Sequence, residues 1–342
     1  VIYFDGNFVT SQIDKAIHYF MLAANQNHPE AQFYLGFIYF EDIYVKRNIQ
    51  LSLYYFNLAA INNHPIAQNN LGSLYLEGKY VKQDVKKAIE YFSQASKNKL
   101  VEAHLNLGNL YYHNKYIPRD INKAIDYFQL AAKQKDANAQ FLLGIIYFNG
   151  LYIKANIGKA IYYYEQAANQ NHTWALNNLA MIYLEGKHVK QDLKKAIHYI
   201  SLIKDQNDPG ILNNIGGIYI YANEIEKGIK YLTLAAQKNF LLSQKGLGLY
   251  YYMGYLVPIN INKAIYFFTL AANKKEPLSQ FYLGKIYYDG IFVQKNIKKA
   301  LNYLNESALN NFSDGQLYMA NIYLEGKYVN QDIEKAIDLF KK

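Results

Sequence analysis

The residues of this chain that come nearest to chemistry are three histidines, His28, His64 and His172, each preceded by asparagine. Imidazole is a common metal ligand and general base, so a recurring Asn-His pair invites a metal or acid–base reading. The spacing argues against it. Each histidine occupies the same position of a different repeat, and neighbouring helices lie about 8–10 Å apart, whereas a zinc–nitrogen bond is about 2.0–2.1 Å. Capping a helix from a loop suits the position better. Serines are few, and no Gly-x-Ser-x-Gly or Ser-x-x-Lys motif supplies a nucleophile in a recognised setting. Cysteine is absent, which excludes disulfides, thiol nucleophiles and Cys-based zinc sites. The expectation is a protein that is not an enzyme, with no catalytic residue, no metal site and no cofactor.

What positions these residues is a repeat. Leu-Gly-x-x-Tyr recurs from Leu35-Gly36 through Leu71-Gly72, Leu107-Gly108 and Leu143-Gly144 to Leu247-Gly248 and Leu283-Gly284. Ala180, Gly216 and Ala320 stand at the glycine position of the remaining three units. The step is 36 residues throughout, apart from 32 between Gly216 and Gly248. A fixed period in the range of about 20–50 residues marks a repeat solenoid, in which each unit contacts only its neighbours.

Each period holds two helices. In the first, Ala67, Leu71, Leu74 and Tyr75 fall at i, i+4, i+7 and i+8, one apolar face. Glycine at i+5 costs about 1 kcal/mol against alanine, so its return implies a close helix approach. A second glycine (Gly78, Gly150, Gly186, Gly254, Gly290, Gly326) suits a left-handed helix end. A short arm follows, and then Asp or Asn (Asp84, Asp120, Asn156, Asp192, Asn260, Asn296, Asp332), the preferred N-cap types. The second helix reads Lys-Ala-Ile-x-Tyr-Phe-x-x-Ala-Ala, as at 123–132, and ends near Asn27, Asn63 or Asn171, where asparagine can take the left-handed cap.

The expected fold is therefore all-α: a single solenoid of about nine 36-residue helix–turn–helix repeats. It is expected to run regularly over 1–200 and 225–342, with an irregular joint at 201–224. There Ile203-Lys204 replaces the Ala-Ala pair, DQNDPG at 205–210 forms turns, and four residues are lost. The chain starts with Val1, and Tyr3, Phe8 and Val9 stand one period before Tyr39, Tyr44 and Val45. The expectation is a fragment at both ends, which leaves a lost leader, and either a cytoplasmic or an exported, host-directed setting, open.

Net charge is +9, yet only Arg47 and Arg119 are arginine, and the lysines return at repeat-equivalent positions. Nucleic-acid readers favour arginine for bidentate contacts, so the charge reads as solvated faces and nucleic acid is disfavoured as a partner. No apolar run approaches the length of about 18 residues that a membrane span needs.

The repeat, written Ala-x-x-x-Leu-Gly-x-x-Tyr-x-x-Gly-x-x-Val-x-x-Asp-x-x-Lys-Ala-x-x-Tyr-x-x-x-Ala-Ala, resembles the Sel-one-like repeat (SLR), a relative of the tetratricopeptide repeat, over essentially the whole chain. The resemblance implies a right-handed superhelix of α/α hairpins, with first helices lining the concave side, and work as an interaction scaffold or adaptor. It also implies one alternative, the penicillin-binding or β-lactamase-like cell-envelope subgroup, whose members are rich in paired cysteines. This chain has none.

A binding surface must break the repeat. Two and six positions after the leading Ala, the first helices carry residues that change from unit to unit beside a constant core. From these columns come the candidate concave-face residues Phe33, Phe37, Asn69, Asn109, Phe141, Asn177, Asn213, Lys245, Phe281 and Lys285, with Trp174, the sole tryptophan, at their edge. Rings supply contact area, and amides bond a peptide backbone. The expected partner is a protein or peptide segment. The alternative is an array that only spaces domains outside it.

Overall fold

The computed structural model describes residues 12–341, and among them nineteen α-helices and no strand. Tyr3, Phe8 and Val9 lie outside the described residues. The chain divides into two compact units between Ala175 and Leu176. In the first, α1 (Ile13–Ala24) precedes four hairpins: α2 (Pro29–Phe40) with α3 (Ile49–Ile61), α4 (Pro65–Glu77) with α5 (Val85–Lys97), α6 (Val101–Tyr112) with α7 (Ile121–Lys133), and α8 (Ala137–Asn149) with α9 (Ile157–Ala168). Helix α10 (Thr173–Glu185) carries the boundary. The second unit continues with α11 (Leu193–Ser201), α12 (Pro209–Tyr221), α13 (Ile225–Gln237), α14 (Leu241–Met253), α15 (Ile261–Ala272), α16 (Pro277–Asp289), α17 (Ile297–Leu309), α18 (Ser313–Glu325) and α19 (Ile333–Phe340).

Local chemistry sets the helix ends. All seven expected N-caps accept a hydrogen bond from the third backbone N–H of their helix at 2.9–3.1 Å, which satisfies a donor that helix geometry leaves orphaned. The six expected glycines end the first helices at positive φ, 60–74°. Asn27, Asn63 and Asn171 take the same left-handed conformation between hairpins, at φ 60–61°.

The glycine of Leu-Gly-x-x-Tyr is a seat for a ring. A Cβ on Gly108 would come 2.5 Å from the Phe128 ring, and one on Gly72 2.6 Å from that of Phe92. Phe128 and Phe92 are fully buried. Where Ala180 replaces glycine, the position equivalent to Phe128 is Ile200, also buried.

A second device accounts for much of the tyrosine and lysine. The motif tyrosine of the first helix lies nearly parallel to a tyrosine of the second in pairs such as Tyr75–Tyr91, Tyr111–Tyr127 and Tyr147–Tyr163, centroids 5.8–5.9 Å apart. The lysine at the third helical position (Lys87, Lys123, Lys159) caps each stack, 5.0–5.1 Å from the outer ring. Such cation–π contacts contribute about 0.5–1 kcal/mol at exposed sites. These lysines are part of the frame.

The arginines are too. Arg47 and Arg119 fold back so that Nε donates to the Phe40 and Tyr112 carbonyls at 2.7 Å, the bond that Gln83, Gln191 and Gln331 make in other repeats. The segment at 201–224 is also distinct: α11 has 9 residues against 13 in α7 and 12 in α9. Asp208 caps α12 with one carboxylate oxygen on Gly210 and Ile211 N–H, and Asn223 at φ 64° replaces the usual arm.

Candidate functional site

The three histidines are helix N-caps. Nδ1 of His28, His64 and His172 accepts the N–H of Ala31, Ala67 and Ala175 at 3.4, 3.2 and 3.2 Å. Capping through Nδ1 requires the neutral ring with its proton on Nε2, and in His64 that nitrogen donates to Glu30 Oε2 at 3.0 Å. Among the described residues no three His, Asp or Glu side chains converge at metal-binding distance.

The second-position column lies in the seams between repeats, and its variation is matched within the chain. Phe33 stacks on His64 at 4.6 Å, and Phe141 on His172 at 4.5 Å. Phe281 packs against Phe312 at 5.5 Å, and Lys245 Nζ lies 3.6 Å from Glu276 Oε1. In each case the partner is the N-cap of the next first helix, ring against ring or cation against carboxylate. Phe281 and Asn177 are buried, so they support a surface and do not form one. Leu317, in the last first helix described, is exposed.

The amides divide in the same way. Asn69 Oδ1 accepts from Asn106 Nδ2 at 2.9 Å, and Asn177 Oδ1 from Asn214 Nδ2 at 3.1 Å. Asn213 Oδ1 takes the Ser243 hydroxyl at 2.9 Å. The sixth-position column is different: Phe37, Asn109 and Lys285 are part-exposed and Gly217 and Asn321 exposed. Trp174 is 43% exposed. Asp289, one turn after Lys285, accepts from the Tyr318 hydroxyl at 3.4 Å. Burial first, and Asp289 second, push that phenol up, so it stays a donor.

Sequence reasoning missed a buried glutamine that follows the leading small residue (Ala, Ser or Gly) in six of the nine first helices from α2 to α18. Nε2 of Gln32, Gln68, Gln140 and Gln316 donates to a carbonyl at the end of the preceding second helix, at 3.0–3.4 Å. Oε1 of Gln32, Gln68 and Gln140 accepts from the amides of Asn62, Asn98 and Gln170 one repeat on, at 2.8–3.0 Å. These three glutamines thus tie their hairpins to the next. Gln244 lacks the second bond: Lys274 stands where the amide would be, and Gln244 Oε1 is buried without a partner. The same period that revealed the glycines would have revealed this column.

His104 replaces glutamine in the third repeat, its Nδ1 2.9 Å from the Ser96 hydroxyl. Burial lowers its pKa, and burial also lowers that of His172 against the opposing pull of Asp136. Below the ordinary histidine value of 6.5, the unfolded chain binds protons that the folded chain refuses. The contribution of these two histidines is therefore complete above that pH and declines as the pH falls through it. Chemical denaturation across this range should show the loss, and His104→Gln should reduce its slope while leaving the share of His172. A slope unchanged by His104→Gln would contradict the assignment.

A family model described as Sel1 repeat matches residues 1–28, 29–64, 65–100, 101–136, 137–172, 175–208, 215–240, 241–275, 277–312 and 313–342. No curated protein matches the chain. Among solved structures, a protective antigen present in uropathogenic Escherichia coli strains, displaying an SLR fold, is similar with TM-score 0.84 and 25% identity, over 99% of this chain and 74% of that one. A Sel1 repeat protein from Oxalobacter formigenes is similar with TM-score 0.72 and 26% identity, over 91% of this chain and 93% of that one. With repeats matched along nearly its whole length, the chain belongs to the Sel1 repeat family.

Proposed function

We propose that the chain is a non-enzymatic scaffold that binds a peptide or protein segment along the exposed face of its first helices. The Sel1 repeat fold is commonly a protein-interaction scaffold. The observation that carries the finer reading is the contrast between frame and face. Caps, glycine seats, amide ties and Lys–Tyr stacks absorb the residues that recur. The sixth-position column does not recur, and it stays accessible as Phe37, Ser73, Asn109 and Ile145 in one unit and as Met181, Gly217, Leu249 and Lys285 in the other. Such a row offers aromatic, apolar, amide and cationic contacts in an order fixed by the chain. Partly exposed Phe33 and Phe141 flank it, with Asn69, Asn213 and Lys245 between repeats and Trp174 at the edge.

Matched charge changes test the reading. Asn109→Lys with Lys285→Glu alters the first helices, and Gln94→Lys with Lys298→Glu makes the same change in charge on exposed positions of the second helices. Quantitative pull-downs from the source cell should lose their partners with the first pair and keep them with the second. Equal recovery with both pairs would overturn the proposal.

A further inference from the structure

Most glycines in the helices are required by contact. A Cβ on Gly216, Gly228 or Gly248 would lie 2.4–2.8 Å from a neighbouring atom. Gly217 and Gly246 are different. Both sit inside helices α12 and α14, neither is left-handed, and a Cβ on either would meet nothing within 4 Å. Glycine lowers helix stability relative to alanine, so the fold loses by them and gains no packing. What they open is a cavity of about 400 Å³ between the two helices, walled by Ile220, Leu232, Leu242, Tyr221 and Tyr250 and reached by Asn213. Tyr221 and Leu242 are more than half exposed at its rim. The Asn213 side-chain carbonyl accepts from Ser243, another lining residue, which leaves the Asn213 amide N–H groups as donors at a site otherwise walled by aliphatic and tyrosine side chains.

Lys285 stands on the next first helix, α16, part-exposed and, among the described residues, in no ion pair. Asp289 beside it is turned to Tyr318, and Glu276 to Lys245. Among the described residues, no carboxylate lies within ion-pair distance of this cation. We propose that the cavity takes an aromatic side chain of an extended partner polypeptide, and that a carboxylate on the same segment meets Lys285. A ring suits apolar walls with tyrosines at the rim, where offset or edge contacts form, and a tyrosine hydroxyl or a backbone carbonyl can accept from Asn213. The cavity lies between α12 and α14, so α16 is about one and a half helix spacings on; at about 8–10 Å per spacing and about 3.3 Å per extended residue, the carboxylate falls about four residues from the ring. This rests on the scaffold reading and names the partner's chemistry.

The test is a selection of random linear peptides, displayed on phage, against the whole chain, followed by binding of one synthetic winner to variants. The enriched set should share an aromatic residue with Asp or Glu about four positions away. The winner should bind Gly217→Leu at least about tenfold more weakly, as for loss of an anchor residue, although that variant melts no lower than the wild type. Lys285→Gln should lose the preference for Asp or Glu over Asn or Gln. Equal binding to Gly217→Leu would overturn the cavity as the site. If that same peptide is lost on Asn109→Lys with Lys285→Glu, the scaffold reading survives without it. Enrichment of aromatic peptides with no acidic residue would overturn the role of Lys285, and no enrichment at all would count against both readings.

Discussion

Gly108→Ala destabilises the first unit by up to about 2 kcal/mol, although alanine is the better helix former. Forcing a methyl into a filled core costs about 1–3 kcal/mol, and the gain in helix propensity returns about 1 kcal/mol. The methyl would lie 2.5 Å from the Phe128 ring, which is fully buried and has nowhere to move. Phe128→Ile in the same chain should recover part of the loss, because Ala180 and Ile200 make that combination in another repeat. The coupling between the two changes, read from a double-mutant cycle in denaturant, isolates the contact. Gly217→Ala is the control. With open space around its Cβ, it should raise stability by about 0.5–1 kcal/mol. Two identical substitutions at mid-helix sites thus differ because of space alone, and a Gly108→Ala as stabilising as Gly217→Ala would contradict the seat.

Gln68→Ala is expected to cost about 2–4 kcal/mol, the sum of a lost buried side chain and of hydrogen-bonding groups left without partners. Gln68 is 1% exposed, and it holds the Ala60 carbonyl and the Asn98 amide at 3.0 Å each. Asn98→Ala removes only the second of these bonds at an exposed residue, so it should cost about 1 kcal/mol. In a repeat array, stability is close to a sum of units and interfaces. The loss should therefore appear as faster amide exchange in α4 and α5 and their neighbours. A cost for Gln68→Ala no larger than that for Asn98→Ala would show that the amide tie is dispensable.

The frame was legible where chemistry is local. An N-cap such as Asp84 needs only its own next turn, and Gly78 only its own φ, so residue type and spacing identify both. The seat at Gly108 was half legible. Its recurrence demanded a close approach, but the ring that fills it lies 20 residues on, in the other helix. The glutamine column was missed because a helical glutamine reads as a solvated residue unless the carbonyl it must satisfy is in view. The second-position column was read as a tunable surface. Part of its variety instead answers the next repeat, as Phe33 answers His64 and Lys245 answers Glu276, pairs 31 residues apart that no helix-face argument connects. The cavity at Gly217 and Gly246 was invisible for the opposite reason: emptiness around a glycine has no sequence signature.

If the sixth-position column is the docking face, partners lie on the first helices. Site-specific photo-crosslinking tests it most directly, with a photoreactive phenylalanine analogue placed singly at Asn109, Leu249 and Asn321 on first helices and at Glu90, Asp126 and Lys298 on second helices, in the source cell. The account predicts that the first three positions yield adducts with a common set of polypeptides and that the second three do not. Adducts confined to the second helices would contradict it.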